Sequence, residues 1–258
     1  MRSRNLVVLG ICLTLAGCLA GCTAHSTTTP PSPTPTATPT AVAPTTAAPV
    51  PTTAAPGPLS VRTVTTHQAF AKGSVATLTL PVFAGPLAAE VNKRVQRSAQ
   101  QAVGGFGTGT PSDDVNDTET ISGTVTVNDG RTVQVLLSIE DDVRDAAHPT
   151  DSVSTVALRR SDASPIPLTD LFTELKPALS AALDYASGVA KRSGQDDPKG
   201  NLTTNASDWA NWQATKQGVS FHFQDYQAGS HAGGLRVVDV PWSVLRAWVD
   251  PRTYALVS

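Results

Sequence analysis

Three groups of residues in this 258-residue chain have side chains whose type and spacing could do chemistry. The first is a pair of cysteines, each closing a tetrapeptide of small residues: Leu15-Ala16-Gly17-Cys18 and Leu19-Ala20-Gly21-Cys22. The second is a set of histidines near carboxylates: His148 between Asp145 and Asp151, and His222 and His231 near Asp225 and Asp239. The third is four tryptophans, Trp209, Trp212, Trp242 and Trp248.

The cysteines follow a basic start (Arg2, Arg4) and a short apolar run from Leu6 to Leu15, the layout of an export signal. Each tetrapeptide is similar to a lipobox, which bacterial lipoprotein signal peptidase cuts so that the cysteine becomes N-terminal and diacylated. The apolar stretch ends near residue 20, short of the ~20 consecutive apolar residues that a spanning helix needs. Cleavage before Cys22 leaves no spare thiol, whereas cleavage before Cys18 leaves Cys22 unpaired in an oxidising compartment. Cys22 is therefore the expected lipidation site and Cys18 the alternative. The third cysteine, Cys12, lies in the same segment, so disulfides, cysteine–zinc sites and thiol nucleophiles are excluded from the rest of the chain.

His148 reads either as a general base oriented by a carboxylate or as a turn histidine bonded to the backbone, and the second reading is favoured. His222 and His231 with Asp225 and Asp239 are of metal-ligating type, but no spaced signature requires a metal. G-x-S-x-G, G-x-x-x-x-G-K-[ST] and H-E-x-x-H are all missing from the sequence. Ser230 beside His231 is adjacency along the chain, which does not put a base within reach of a nucleophile. Core packing accounts for most of the tryptophans. Trp209 and Trp212, three apart after Ser207-Asp208, form a helical turn in which one could face a ligand. The candidate ligand-facing residues are His148, Trp209 and His231, together with Tyr226 from the family pattern given below, and no catalytic, cofactor or metal residue is assigned.

Positioning these groups falls to three regions: an export segment (1–22), a stalk (23–58) and a domain (59–258). The stalk packs twelve threonines and ten prolines into 36 residues without an Asp, Glu, Lys or Arg. Such a segment buries too little apolar area to offset its ordering entropy, and proline biases it to polyproline II. It is expected to be disordered, to reach on the order of 100 Å when extended, and to be of a composition that accepts O-glycans.

Periodicity begins after residue 59. Alternation from Ser74 to Phe83 predicts a strand. Gly85-Pro86 predicts a helix start with Pro86 at its first position, an apolar face of Leu87, Ala88, Val91, Val95, Ala99 and Ala102, and a stop at Gly104-Gly105. Asn128-Asp129-Gly130 between period-two runs predicts a hairpin with Gly130 at positive φ. Further strands are expected over 152–159, 218–224 and 234–240, a second helix over 176–192, and a short helix opened by Pro241. In the strand 218–224, Val219, Phe221 and Phe223 point inward and His222 outward. Strands in runs, with two longer helices between them, make an α+β domain: a mostly antiparallel sheet with two helices packed against it.

Charge narrows the partners. Without Arg2 and Arg4, 17 basic side chains face 21 acidic ones, a net of −4. No basic patch suggests nucleic acid or polybasic attraction to lipid.

The C-terminal half resembles the RsiV-like extracytoplasmic domain of unknown function, a family that includes a lysozyme-sensing anti-sigma factor and secreted mycobacterial immunogenic antigens. The residues that carry it are Ala147-His148-Pro149, Ile166-Pro167-Leu168-Thr169-Asp170-Leu171-Phe172, Val219 through Tyr226, and Val237-Val238-Asp239-Val240-Pro241-Trp242. The strand and helix around Leu80 to Val103, with Asn92, are similar to the region that precedes them in the family. Asp145-Ala146-Ala147 departs from the family's glycine-rich approach to the histidine. The resemblance implies an exported ligand-binding or sensing domain without a known catalytic site. An anti-sigma role is not expected, because no cytoplasmic domain precedes the hydrophobic segment. The sequence thus leads to a lipid-anchored cell-envelope protein on the outer face of the cytoplasmic membrane, non-catalytic and without a cofactor. Its expected partner is a cell-wall or protein ligand such as lysozyme. The rival reading is a secreted esterase or wall-polymer hydrolase with His148 or His231 as base.

Overall fold

A computed structural model describes residues 57–70, 73–104, 116–231 and 234–258. Cys18, Cys22, the export segment and nearly all of the stalk lie outside the described residues. Among those described, no helix is long and apolar enough to cross a membrane.

The domain is α+β, but its strands form two sheets, each with its own helix and core. In the first sheet β1 (Ser60–Ala69) pairs antiparallel with β2 (Val75–Ala84), and β2 runs parallel to β3 (Thr118–Asn128). Antiparallel β4 (Thr132–Asp142) and β5 (Thr150–Arg159) complete the order β1-β2-β3-β4-β5. The parallel pair needs a crossover, and helix α1 (Ala88–Val103) lies within it. Ala88, Val91, Val95, Ala99 and Val103 of α1 bury against Ala76, Leu78, Ile121, Val135 and Leu137. Asn92 ties the helix to its strand: its Nδ2 donates to Phe83 O at 2.9 Å and its Oδ1 accepts from Phe83 N at 2.8 Å.

Three local expectations change. Pro86 precedes α1 rather than opening it, because Leu87 takes φ +62° and Ala88 N–H closes a turn on Gly85 O; Leu87 then sits 41% exposed. Gly130 has no positive φ. The Asp129 carboxylate closes the hairpin instead, accepting from Arg131 N at 2.7 Å and Thr132 N at 2.6 Å. Strand β1 left no apolar periodicity to detect, since it is an edge strand with most of its residues exposed on both faces. Gly104 does end α1, and Gly105 lies outside the described residues.

Helix α2 (Leu168–Leu171), the longer α3 (Leu175–Ser193), and strands β6 (Trp212–Ala214), β7 (Gly218–Phe223) and β8 (Arg236–Pro241) build the second core. It is closed by α4 (Trp242–Leu245) and α5 (Pro251–Val257). The small face Ala178, Ala182, Ala186 and Ala190 of α3 is buried, and Gly194 at φ +68° ends the helix. Pro241 is the N-cap of α4, and the Asp250 carboxylate caps α5. The two sheets are joined by polar contacts. Gln134 of β4, buried, exchanges two hydrogen bonds with the Ala214 backbone at 3.1 and 2.9 Å. Asn211 bonds Val153 O and Thr155 N of β5.

One buried acid makes the first core pH-dependent. Glu119, 2% exposed, stands opposite Asp141 in the β3–β4 register. Burial first, and the Asp141 charge second, raise its pKa from 4.5 to about 7. The folded state then keeps a proton that the unfolded chain releases, so stability falls as pH rises from 4.5 through about 7. Glu119→Gln should remove on the order of 2 kcal/mol of this pH dependence. Urea midpoints of both proteins at acidic and mildly alkaline pH check it; parallel pH profiles would refute it.

Candidate functional site

Three of the four ligand-facing candidates converge at one end of the second sheet, where it meets β5. His148 lies near the end of the β4–β5 connection, Asp225 and Tyr226 come two and three residues after β7, and His231 lies in the β7–β8 connection. One backbone and one side-chain hydrogen bond bring these segments together: Asp225 N–H donates to Asp151 O and Asp151 N–H to Asp225 Oδ2, both at 3.0 Å. The His148 and His231 rings stack with centroids 3.6 Å apart and planes 13° off parallel. The Tyr226 ring lies 5.5 Å from His231 at 23°.

Hydrogen bonds fix which ring nitrogen carries the proton in each neutral imidazole. His148 Nδ1 lies 2.8 Å from Pro149 O, which can only accept, so Nδ1 donates and Nε2 keeps its lone pair. Tyr226 O–H therefore donates to His148 Nε2 at 3.3 Å. His231 Nδ1 is 3.0 Å from Asp225 Oδ2, so it too donates and leaves Nε2 as an acceptor. The Asp225 carboxylate is fully buried and orients His231, while Tyr226 stays 55% exposed. Tyr226 also holds φ +64°, a left-handed conformation that a bulky residue adopts only when its surroundings impose it. Its carbonyl accepts from Asn201 Nδ2 at 3.2 Å, which fixes that backbone from the other side. His148 bonds the backbone as the turn-histidine reading expects, and its hydrogen bonds among the described residues are to Pro149 O and the Tyr226 hydroxyl rather than to a carboxylate.

Beside the cluster lies a cleft of about 410 Å³ between the end of α3 and the β7–β8 connection, with Tyr226, Gln195, Asp196, Gln224, Ser230 and Arg236 on its walls. The Arg236 guanidinium is engaged within the wall, Nη1 on Asp196 O and Ala228 O at 2.8 and 2.6 Å and Nη2 on Gln195 Oε1 at 3.2 Å. The backbone N–H of Ser230, and then its hydroxyl, hold the Asp196 carboxyl below its ordinary pKa, so the rim carries a fixed negative charge.

Trp209 is the correction among the candidates. It is 0% exposed, edge-on to Phe221 and Phe223, with its indole N–H donating to Thr203 O at 2.7 Å. The turn before it is 3-10 (Ala206–Trp209), and Trp212 belongs to β6 and is buried as well. A large ring three residues from another therefore closes the core and faces no ligand. Trp242 is 8% exposed and Trp248 partly buried. Val219, Phe221 and Phe223 enter the core as alternation expects, while His222 between them is half-buried, and burial lowers its pKa despite nearby Asp239. No group of three His, Cys, Asp or Glu side chains among the described residues is placed to hold a metal ion. Sequence reading missed the orienting role of Asp225, Asn201 and Arg236. The strand-then-turn signal at Phe223-Gln224-Asp225-Tyr226 was the one available clue to the first of these.

The fold and this geometry define a two-sheet α+β domain with a histidine–tyrosine cluster at its surface. Residues 168–243 match a family model described as a protein of unknown function, DUF3298. The match runs from α2 to α4 and takes in Tyr226, Asp225 and His231, whereas His148 and the five-stranded sheet lie outside it. A DUF3298 family protein from Pseudomonas aeruginosa PAO1 has a similar crystal structure, with a TM-score of 0.58 and 13% identity over 75% of this chain and 95% of that one. A DUF3298 family member from Bacteroides fragilis NCTC 9343 is similar at a TM-score of 0.53 and 11% identity, over 77% and 96%. At these identities the likeness is one of fold, and it extends well beyond the matched segment. No curated protein matches the chain.

Proposed function

We propose that the chain is a bacterial lipoprotein whose domain binds or senses a ligand at the outer face of the cytoplasmic membrane, without catalysis. A diacylated Cys22, or alternatively Cys18, provides the anchor, and the stalk carries the domain outward. The observation that carries the binding reading is the Tyr226–His148–His231 surface. An exposed aromatic ring is held in a strained backbone conformation by partners on three sides, which is pre-organisation of the kind that lowers the entropic cost of binding. The resemblance to the RsiV-like domain supports the same reading, and a wall polymer or a protein such as lysozyme is the corresponding partner.

The lipid anchor is tested by mass spectrometry of the mature protein from a bacterial host. A diacylglyceryl-modified N-terminal Cys22 is expected, and Cys22→Ala should move the protein from the membrane to the soluble fraction. Residues ahead of Cys18 retained in the mature protein, or neither cysteine lipidated, would overturn it. Binding is tested by saturable capture on immobilised lysozyme and on purified peptidoglycan; capture by neither refutes the reading.

A second reading rests on the Asp225–His231 pair. A buried carboxylate orients an imidazole whose Nε2 has no partner among the described residues, the geometry of a general base. Hydrolysis of a generic ester panel, abolished by His231→Ala, would favour a hydrolase. Turnover equal in His231→Ala, His148→Ala and the parent would eliminate both assignments.

A further inference from the structure

We propose that the cleft between the end of α3 and the β7–β8 connection binds a short neutral oligosaccharide, with the Tyr226 ring as its stacking platform. The inference rests on the domain being a ligand-binding module and names the class of its ligand.

The size is that of a small-molecule site: about 410 Å³, within the usual range for such pockets. The chemistry of the walls separates the ligand classes. An anion such as phosphate would want an unengaged cation, but both Nη atoms of Arg236 already donate to wall oxygens. Asp196, held ionised by Ser230, repels a second negative charge at the same rim. A lipid tail or apolar peptide would want a continuous apolar floor, and here Ala228, glycine backbone and the Tyr226 ring are interleaved with amides, a carboxylate, a hydroxyl and a guanidinium. A sugar ring presents a C–H face to one side and hydroxyls around its edge. The cleft offers the complement of both.

Tyr226 supplies the face. Its hydroxyl is tied to His148 Nε2 and its carbonyl to Asn201, and the ring is 55% exposed. Few rotamers are lost when a ligand stacks on it. The edge contacts are set by bonds already made. With Gln195 Oε1 occupied by Arg236, the Gln195 amide N–H groups are left to donate. The exposed Asp196 carboxylate, which accepts Ser230 N–H at Oδ2, keeps lone pairs to accept from a sugar hydroxyl. The Gln224 side chain, which has no intramolecular bond among the described residues, can do either. Arg236 thus acts as a positioning residue that orients Gln195 and joins the two walls.

Calorimetric titration of the full chain with maltotriose and with N,N′,N″-triacetylchitotriose tests this. At least one should bind with a Kd of about 1 mM or tighter. Tyr226→Gly suits the positive φ and so keeps the fold; it should weaken binding at least about tenfold. Gln195→Ala and Asp196→Ala, which leave the histidine stack untouched, should each weaken it about three- to tenfold. Inorganic phosphate should not compete. Saturation by neither trisaccharide up to about 10 mM, or unchanged binding in Tyr226→Gly with a native circular dichroism spectrum, overturns the proposal. Capture on lysozyme or peptidoglycan without trisaccharide binding sinks the oligosaccharide assignment and leaves the binding-module reading standing. Failure in all of these assays overturns both.

Discussion

Trp209→Ala should lower the stability of the domain by about 3–5 kcal/mol, the range for truncating a fully buried large aromatic. Trp209 is 0% exposed at the centre of the second core, with ring centroids 4.9 Å from Phe221 and 5.4 Å from Phe223 in edge-to-face geometry. Truncation removes those contacts and opens a void on β7. It also frees Thr203 O, which now accepts the indole N–H. Trp209→Phe keeps part of the ring volume but loses that bond, so it should cost less than half as much. Denaturant midpoints measure both. A loss below about 1 kcal/mol for Trp209→Ala would place the ring in a site far looser than a core. Ligand binding by either variant, measured below its unfolding midpoint, should be retained, because the indole lies under the sheet and not in the cleft.

Asp225→Ala is expected to be nearly as damaging, about 2–4 kcal/mol, for a different reason. Its carboxylate is fully buried, and Oδ2 alone accepts from both Asp151 N–H and His231 Nδ1–H. Removing it strands a strand-end amide and a ring N–H in a site that water reaches poorly. Asp225→Asn retains a carbonyl acceptor in the same place and should recover about half of the loss. The two variants also read out the site. His231 should lose its fixed orientation in Asp225→Ala, seen as a shift of its ring proton resonances towards those of an exposed histidine. Stacking on His148 holds Tyr226 through its hydroxyl, so oligosaccharide affinity should fall with it. An Asp225→Ala protein of parental stability and unchanged His231 resonances would mean that the carboxylate does not organise the cluster.

Stability and the proposed binding separate because the core and the histidine–tyrosine cluster lie in different layers of the domain. Core rings lie beneath β7, whereas the site is built where β7 ends and its chain turns. Tyr226 at φ +64° marks the point where backbone preference yields to position. The matched family segment holds the β7 turn, and His148 comes to it from the other sheet. A site that straddles both sheets depends on the seam between them, including Gln134 and Asn211, being intact.

Much of the architecture was legible in the residues. Period-two runs located β2, β5, β7 and β8 within two residues and found β4 without its last three residues, and three- and four-residue spacing located α1 and α3. These signals are local: each records which face of its own element must leave water, and no distant residue is needed to read it. The α+β class follows from their order; His148 and His231 are candidates by their turn and loop positions, and Tyr226 by the resemblance to the RsiV-like domain. Edge strand β1, exposed on both faces, carries no such record, and β6, three residues long, is too short to show a period. What tertiary structure alone decided is which polar groups meet. His148 and His231 are 83 positions apart and stack only because Asp151 and Asp225 pair across the two sheets. Trp209 faces inward because two phenylalanines of β7 wait beneath it. Periodicity reports burial, which is a property of one segment. Convergence depends on the packing of several segments at once, and no single stretch of chain encodes it.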